Sequence, residues 1–284
     1  MLKSSGLSLQ IGHSLRIGIA PHAVSLLRVR RWGRAPATLL AEHAIAPSAD
    51  HPFDAIASAL RALLREQENI RGLSVAFVLA DELARMWRVT PPQGASRLDD
   101  LEAAAGLRFQ ALYGESPSAW QVGADWHVTR PFFAAAVPRA LLASLALVAD
   151  EFRLSVVGVE PHFVSAWNRW RRAVKPDAWF ALVHDQLLTL APLDDGGVRA
   201  LRTVTVPASA DQAWLTHTVQ REALLLDIAP PVLLQACGAV PAAWVRPRTD
   251  SAPTLIGCEL LDHARQAASS RYSAVARLAQ GGAA

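Results

Sequence analysis

The chain has 284 residues, 51% of them apolar, with a formal net charge of +3. This is enough for one large domain or two smaller ones around a sizeable core. Arg is spread along the chain and Lys occurs only twice, which excludes the basic stripe that nucleic-acid binding needs.

In chain order, "LRIGI" (Leu15–Ile19) and "SLLRVRR" (Ser25–Arg31) predict a β-hairpin, and "ATLLAEHAIA" (Ala37–Ala46) a third strand. After a turn over Pro47–Pro52, "FDAIASALRALLREQEN" (Phe53–Asn69) places Ile56, Leu60 and Leu63 on one helical face, with Asp50 as a candidate cap. "GLSVAFVLA" (Gly72–Ala80) reads as a buried strand, and "MWRVTPP" (Met86–Pro92) as a strand stopped by Pro-Pro. "LDDLEAAAGLRFQALYG" (Leu98–Gly114) is a helix with Asp99, Asp100 and Glu102 where the dipole favours acid. Paired strands are expected over Ala119–Val128 and Arg130–Pro138, then a helix over Leu141–Phe152, a strand over Leu154–Pro161 and a helix over His162–Val174.

Ala178–Pro207 predicts a three-strand meander with "HDQ" and "DDGG" as turns. A helix over "ADQAWLTHTVQREALLLD" and a buried strand in "PPVLLQACG" follow. "LLDHARQAASSRYSAVARLAQ" reads as a closing helical region with a polar break. Alternation of strands and helices implies α/β layers.

Neither long apolar window reaches the ~20 unbroken residues of a spanning helix, because Pro138–Arg139 interrupts one and Asp227, Pro230, Pro231 and Pro241 the other. The N-terminal stretch has no apolar core or cleavage site of a signal peptide. Cys237 and Cys258 lie far apart without His or Cys at metal spacing, so both are expected as buried free thiols. A cytoplasmic protein is the expectation.

Catalytic signatures are missing. There is no phosphate-binding G-x-x-x-x-G-K-[ST], no G-x-G-x-x-G, no G-x-S-x-G and no H-E-x-x-H, and the nine His are scattered. The acidic "LDDLE" reads as a helix cap rather than an acid–base pair, and "DDGG" as a turn rather than a cation site. "WNRWRR" (Trp167–Arg172) reads as an exposed basic helix turn, whose Trp167 and Trp170, three apart, could form a packing knob or a partner-facing patch. No catalytic residue and no metal ligand is expected.

The order of elements resembles a known family. The opening hairpin, third strand, helix and strand resemble subdomain 1A of the actin-like ATPase fold. "FFAAAVPRALLASLALVADEFRLSVVGVEP" resembles the inserted subdomain 1C of its bacterial members, and "YSAVARLA" resembles their closing helix. The nearest likeness is to the pilus-assembly protein PilM, with the cytoplasmic part of the type II secretion protein GspL and FtsA as relatives. The resemblance implies an actin-like (RNase H-like) α/β fold with subdomain 1A over 1–85, a 1C-like insertion over 86–166 and a reduced second half with a C-terminal helix over 167–284.

The phosphate-loop slots of that family depart from its pattern. Ala20, Pro21 and His22 stand where the first loop reads "GIDiGs", and Pro21 removes a backbone donor. In the second loop Asp185 stands near the slot of "DiG", flanked by the bulky His184 and Gln186, without the Gly. Of the adenosine-side Gly pair only Gly238 remains, and the span from Pro207 to Pro230 is short. The expectation is a non-enzymatic scaffold without cofactor. It would be tied to the inner membrane through a partner: the cytoplasmic segment of a PilN-like pilus or secretion protein, or an assembly ATPase. In that family the partner peptide lies in a groove between 1A and 1C, which the resemblance places here between Leu73–Leu79 and the 1C-like helices. The alternative is a nucleotide-binding actin-like ATPase or sugar-kinase-like enzyme that binds through Asp185 and Gly238; a generic α/β enzyme has no site to support it.

Overall fold

The computed structural model describes residues 12–30, 37–46, 52–194, 197–245, 255–262 and 272–280. Asp50, Asp195 and Gly196 of the "DDGG" turn, and residues 263–271 of the closing helical region lie outside them.

The first sheet is built on β1 (His13–Ala20), whose alternation sends Leu15, Ile17 and Ile19 to one face. It pairs antiparallel with β2 (Ala23–Arg30) and parallel with β4 (Ser74–Leu79). β3 (Thr38–Ala44) and β8 (Ser155–Pro161) complete the order β3-β2-β1-β4-β8, so β8 is an edge. Helices α1 (Pro52–Arg65) and α3 (Arg139–Glu151) cover the face that carries Leu15 and Ile17, with Ile56, Leu60 and Leu63 of α1 fully buried as its spacing predicts. Each such side chain contributes about 1.5–3 kcal/mol relative to exposure.

The opposite face takes the closing helix α6 (Ala274–Gln280). Gly18 makes this approach possible, since a Cβ there would lie 2.3 Å from the carbonyl oxygen of Val275. Ser25 Oγ donates to the same carbonyl at 2.9 Å.

A separate sheet of order β5-β7-β6 joins β5 (Arg85–Val89), β6 (Trp120–Ala124) and β7 (Phe132–Pro138). Helix α2 (Leu98–Tyr113) packs on one face through an aromatic cluster in which the rings of Trp87 and Phe109 lie 5.2 Å apart. Asp100 caps α2 by accepting from the backbone N–H groups of Ser96 and Arg97, the role its position predicts. The residues expected in the insertion therefore divide by pairing: β5 to β7 form their own sheet, while α3 and β8 join the first one.

The second half is a sheet of order β13-β10-β9-β14-β15. Its strands are β9 (Ala178–His184), β10 (Leu187–Ala191), β13 (Arg202–Thr205), β14 (Leu233–Gly238) and β15 (Gly257–Leu260). Helix α5 (Gln212–Leu225) covers the face bearing Trp179, Ala181 and Val183, and α4 (His162–Trp170) covers Phe180 and Leu182. Two details differ from expectation. A two-stranded hairpin, β11 (Leu193–Asp194) with β12 (Gly197–Val198), branches from the meander around "DDGG". Leu260, read as the start of the closing helical region, ends β15, because Leu233–Ala236 of β14 offer an open parallel edge to Gly257–Leu260.

Candidate functional site

Helix α4 separates a tight crevice from an open groove. The crevice forms where the ends of β9 and β14 meet α4 and α6. His162, the first residue of α4, and His184, the last of β9, meet edge to face with centroids 5.0 Å apart. Among the described residues the buried Nδ1 of His162 has no hydrogen-bond partner. Burial holds His162 well below the ordinary imidazole pKa and pushes His184 down to about 4. Asp185 opposes the shift at His184, while Arg277 and His22 add to it. Both rings are thus neutral near pH 7.

Asp81 lies in the short helical turn after β4 and accepts from the backbone N–H of Phe163 at 2.9 Å, capping α4 from another element. Burial raises its carboxyl to about 7 against that hydrogen bond. Gly238 closes the crevice at φ 91°, and a Cβ there would lie 2.1 Å from the carbonyl oxygen of Val183. Its N–H donates to Asp262. Cys237 lines the same cavity with its thiol pushed well up by burial.

Of the five loop-slot positions, His22 and Asp185 both act electrostatically on His184 at the crevice. Gly238 lines the crevice, but Ala20, Pro21, His22 and Asp185 do not. Ala20 is buried and pairs with Ala23 across the first turn, leaving Pro21 and His22 exposed. Asp185 is exposed on the β9–β10 turn at φ 52°. The crevice has a volume of about 60 Å³. Sequence reasoning noted His184 only as an obstruction and missed His162, whose signal was its place at a helix start beside a buried strand end. Among the described residues no group of three or more His, Cys, Asp or Glu could hold a metal ion.

The groove is ten times larger, about 610 Å³, and runs between β6 and the end of β8. Its floor is Phe133, Ala135 and Val137 of β7, with Leu142 of α3. Val164, Trp167, Asn168 and Arg171 form the wall along α4. Trp167 packs on Phe180 at 5.5 Å, as the packing-knob expectation has it, and also lines this wall. Trp170 turns to the crevice under the guanidinium of Arg169, 5.0 Å from its ring. Leu73–Leu79 do not border the groove, because β8 hydrogen-bonds along β4 and takes that edge.

Among the described residues no helix is long and apolar enough to cross a membrane. No family model matches the sequence, and no curated protein matches it. Solved structures do. The chain is similar to the cytoplasmic domain of EpsL, an inner-membrane component of the type II secretion system of Vibrio cholerae (14% identity, TM-score 0.54, covering 92% of this chain and 97% of that one). It is similar to the PilM–PilN type IV pilus biogenesis complex (14% identity, TM-score 0.60, covering 96% and 99%). A Bacteroides thetaiotaomicron protein of actin-like ATPase fold and unknown function matches at 9% identity and TM-score 0.57, covering 92% and 95%. The fold of this chain is the actin-like one.

Proposed function

We propose that the chain is a non-enzymatic scaffold of a type IV pilus or type II secretion assembly platform. It would hold a cytoplasmic segment of an inner-membrane partner in the groove beside α4. The observation that carries this reading is the contrast in size: the groove has about 610 Å³ and the crevice about 60 Å³. Small-molecule sites have several hundred Å³. The crevice is far below that, and a pair of histidines neutral near pH 7 stands in its wall. The similarity to the PilM–PilN complex supports a PilN-like partner, and that to the EpsL cytoplasmic domain supports a secretion platform as the alternative setting.

The test is a pull-down with the cytoplasmic segments of inner-membrane proteins encoded beside the gene. It uses the native chain and Gly123→Trp, a residue in β6 that lines the groove and has open space where its Cβ would stand. One segment is captured by the native chain and lost with the variant, at unchanged melting temperature. Tight ATP–Mg binding that Asp185→Ala abolishes would overturn the reading.

A further inference from the structure

The groove's walls say what kind of segment they accept; this step rests on the groove being the docking site. The pairing of β6 settles what its free side offers. Asp125 N–H donates to the carbonyl of Phe133, so Asp125 and Phe133 form a hydrogen-bonded pair. Pairs alternate along an antiparallel ladder. Ala124 opposite Ala134 and Val122 opposite Ala136 are therefore pairs without ladder bonds, and their N–H and C=O point away from β7. The side chains of Val122 and Ala124 pack toward α2, yet both residues line the groove. With their side chains turned to α2, both meet the groove through main-chain atoms. The facing edge, β8, is unsuited to pairing: its register shifts at Val156–Gly158 and it ends in Pro161, which has no N–H.

Charge sits at the two ends of the α4 wall. Glu160 precedes the helix and Arg171 follows it, and both line the groove. Neither makes a side-chain ion pair among the described residues. At 1.5 Å per residue α4 sets them about 15 Å apart. An extended chain covers that distance in about five residues, and β6 itself has 5. The wall between them is Val159, Val164 and Trp167 over Val137 and Leu142.

We infer that the groove's occupant is an extended segment of a partner protein, added as a strand to the free edge of β6. Its middle is aliphatic, with a cationic side chain or amino group at one end to meet Glu160 and a carboxylate at the other to meet Arg171.

Four fluorescein-labelled heptapeptides with a Val-Thr-Leu-Thr-Val centre test this: Lys-first with Glu last, Glu-first with Lys last, Lys at both ends, and Gln at both ends. Anisotropy titrations against the full chain should show one mixed-charge peptide binding about tenfold tighter than the Gln peptide at low salt, with the advantage shrinking at high salt. Because the swap exchanges the two wall charges, the double variant Glu160→Arg with Arg171→Glu should then prefer the other mixed-charge peptide. Equal affinity for all four peptides, with binding lost in Gly123→Trp, overturns the charge assignment and leaves the groove reading intact. No peptide binding at all, with partner capture surviving Gly123→Trp, overturns both. Sedimentation of the chain alone should give a groove-independent state; a dimer that Gly123→Trp dissociates would make the occupant a second copy and overturn the inference.

Discussion

The crevice and the groove share one helix and differ in almost everything else. On one side α4 presents His162, Ala166 and Trp170 to a small cavity in which a strand end, a glycine and a ring pair leave little room. On the other it presents Val164, Trp167 and Arg171 to a larger channel whose opposite wall is the edge strand β6, paired on one side only. The first is close-packed, and burial holds its two histidines neutral near pH 7. The second keeps backbone donors, acceptors and unpaired charges available. Interiors tolerate little change in volume, whereas binding surfaces hold groups in reserve.

The sharpest way to break this contrast is a pair of glycine substitutions. Gly238→Val forces a side chain against the Val183 carbonyl at a positive φ and should cost about 3 kcal/mol or more, seen as a large fall in urea midpoint. Gly123→Trp should stay within about 0.5 kcal/mol of the native chain. Equal losses at both sites would mean that the groove is packed as tightly as the crevice. Next, Phe163→Ala removes a fully buried ring that touches Phe133 and Phe180, tying α4 to both flanking sheets. A loss of about 3–5 kcal/mol is expected, with weaker partner binding in proportion to the loosened wall.

Acid titration sharpens the electrostatic side of the comparison. His184 titrates at about 4 when folded and near 6.5 when unfolded, so between these values the unfolded chain binds the extra proton and stability rises with pH. His162 acts in the same direction. Asp81 titrates at about 7 when folded and near 3.8 when unfolded, so over that window the folded chain binds the extra proton and stability falls as pH rises. The two histidines therefore act against the aspartate, and together they leave stability rising with pH over this window. Chemical denaturation from pH 4 to 6.5 should show a flatter profile for His184→Gln and a steeper one for Asp81→Asn. Parallel profiles for all three proteins would mean that these groups titrate as they do in water. The smallest effect is Asp81→Ala at pH 7, about 1 kcal/mol for a lost cap, against almost none for Asp81→Asn, which keeps the accepting oxygen.

Much of the fold was legible because its elements carry their period in sequence. Ile17 and Ile19 alternate with Gly18, Ile56 and Leu60 repeat at helical spacing, and Asp100 stands where a helix start needs an acceptor. β15 was not legible, since Gly257–Leu260 is four residues with no period and becomes a strand only because β14 has an open edge. The sites were harder still. His162 and His184 belong to different predicted elements, and nothing local marks either as half of a pair. The outward backbone of Val122 and Ala124 depends on pairing parity with β7, which the identity of those residues does not encode.

The seat of α6 on Gly18 has a consequence for how the molecule is made. Ser25 is bonded to a carbonyl 250 positions later, and Arg16 to one 263 positions later. Contacts of such separation form late, after the loop-closure entropy between them has been overcome. During synthesis the first sheet can collapse on α1 and α3 at once, but its other face, with Ala20, Ala23, Val78 and Leu27, waits uncovered until residues 274–280 leave the ribosome. Over that interval the nascent chain carries an apolar surface that chaperones would recognise, and the arrival of one two-turn helix ends it.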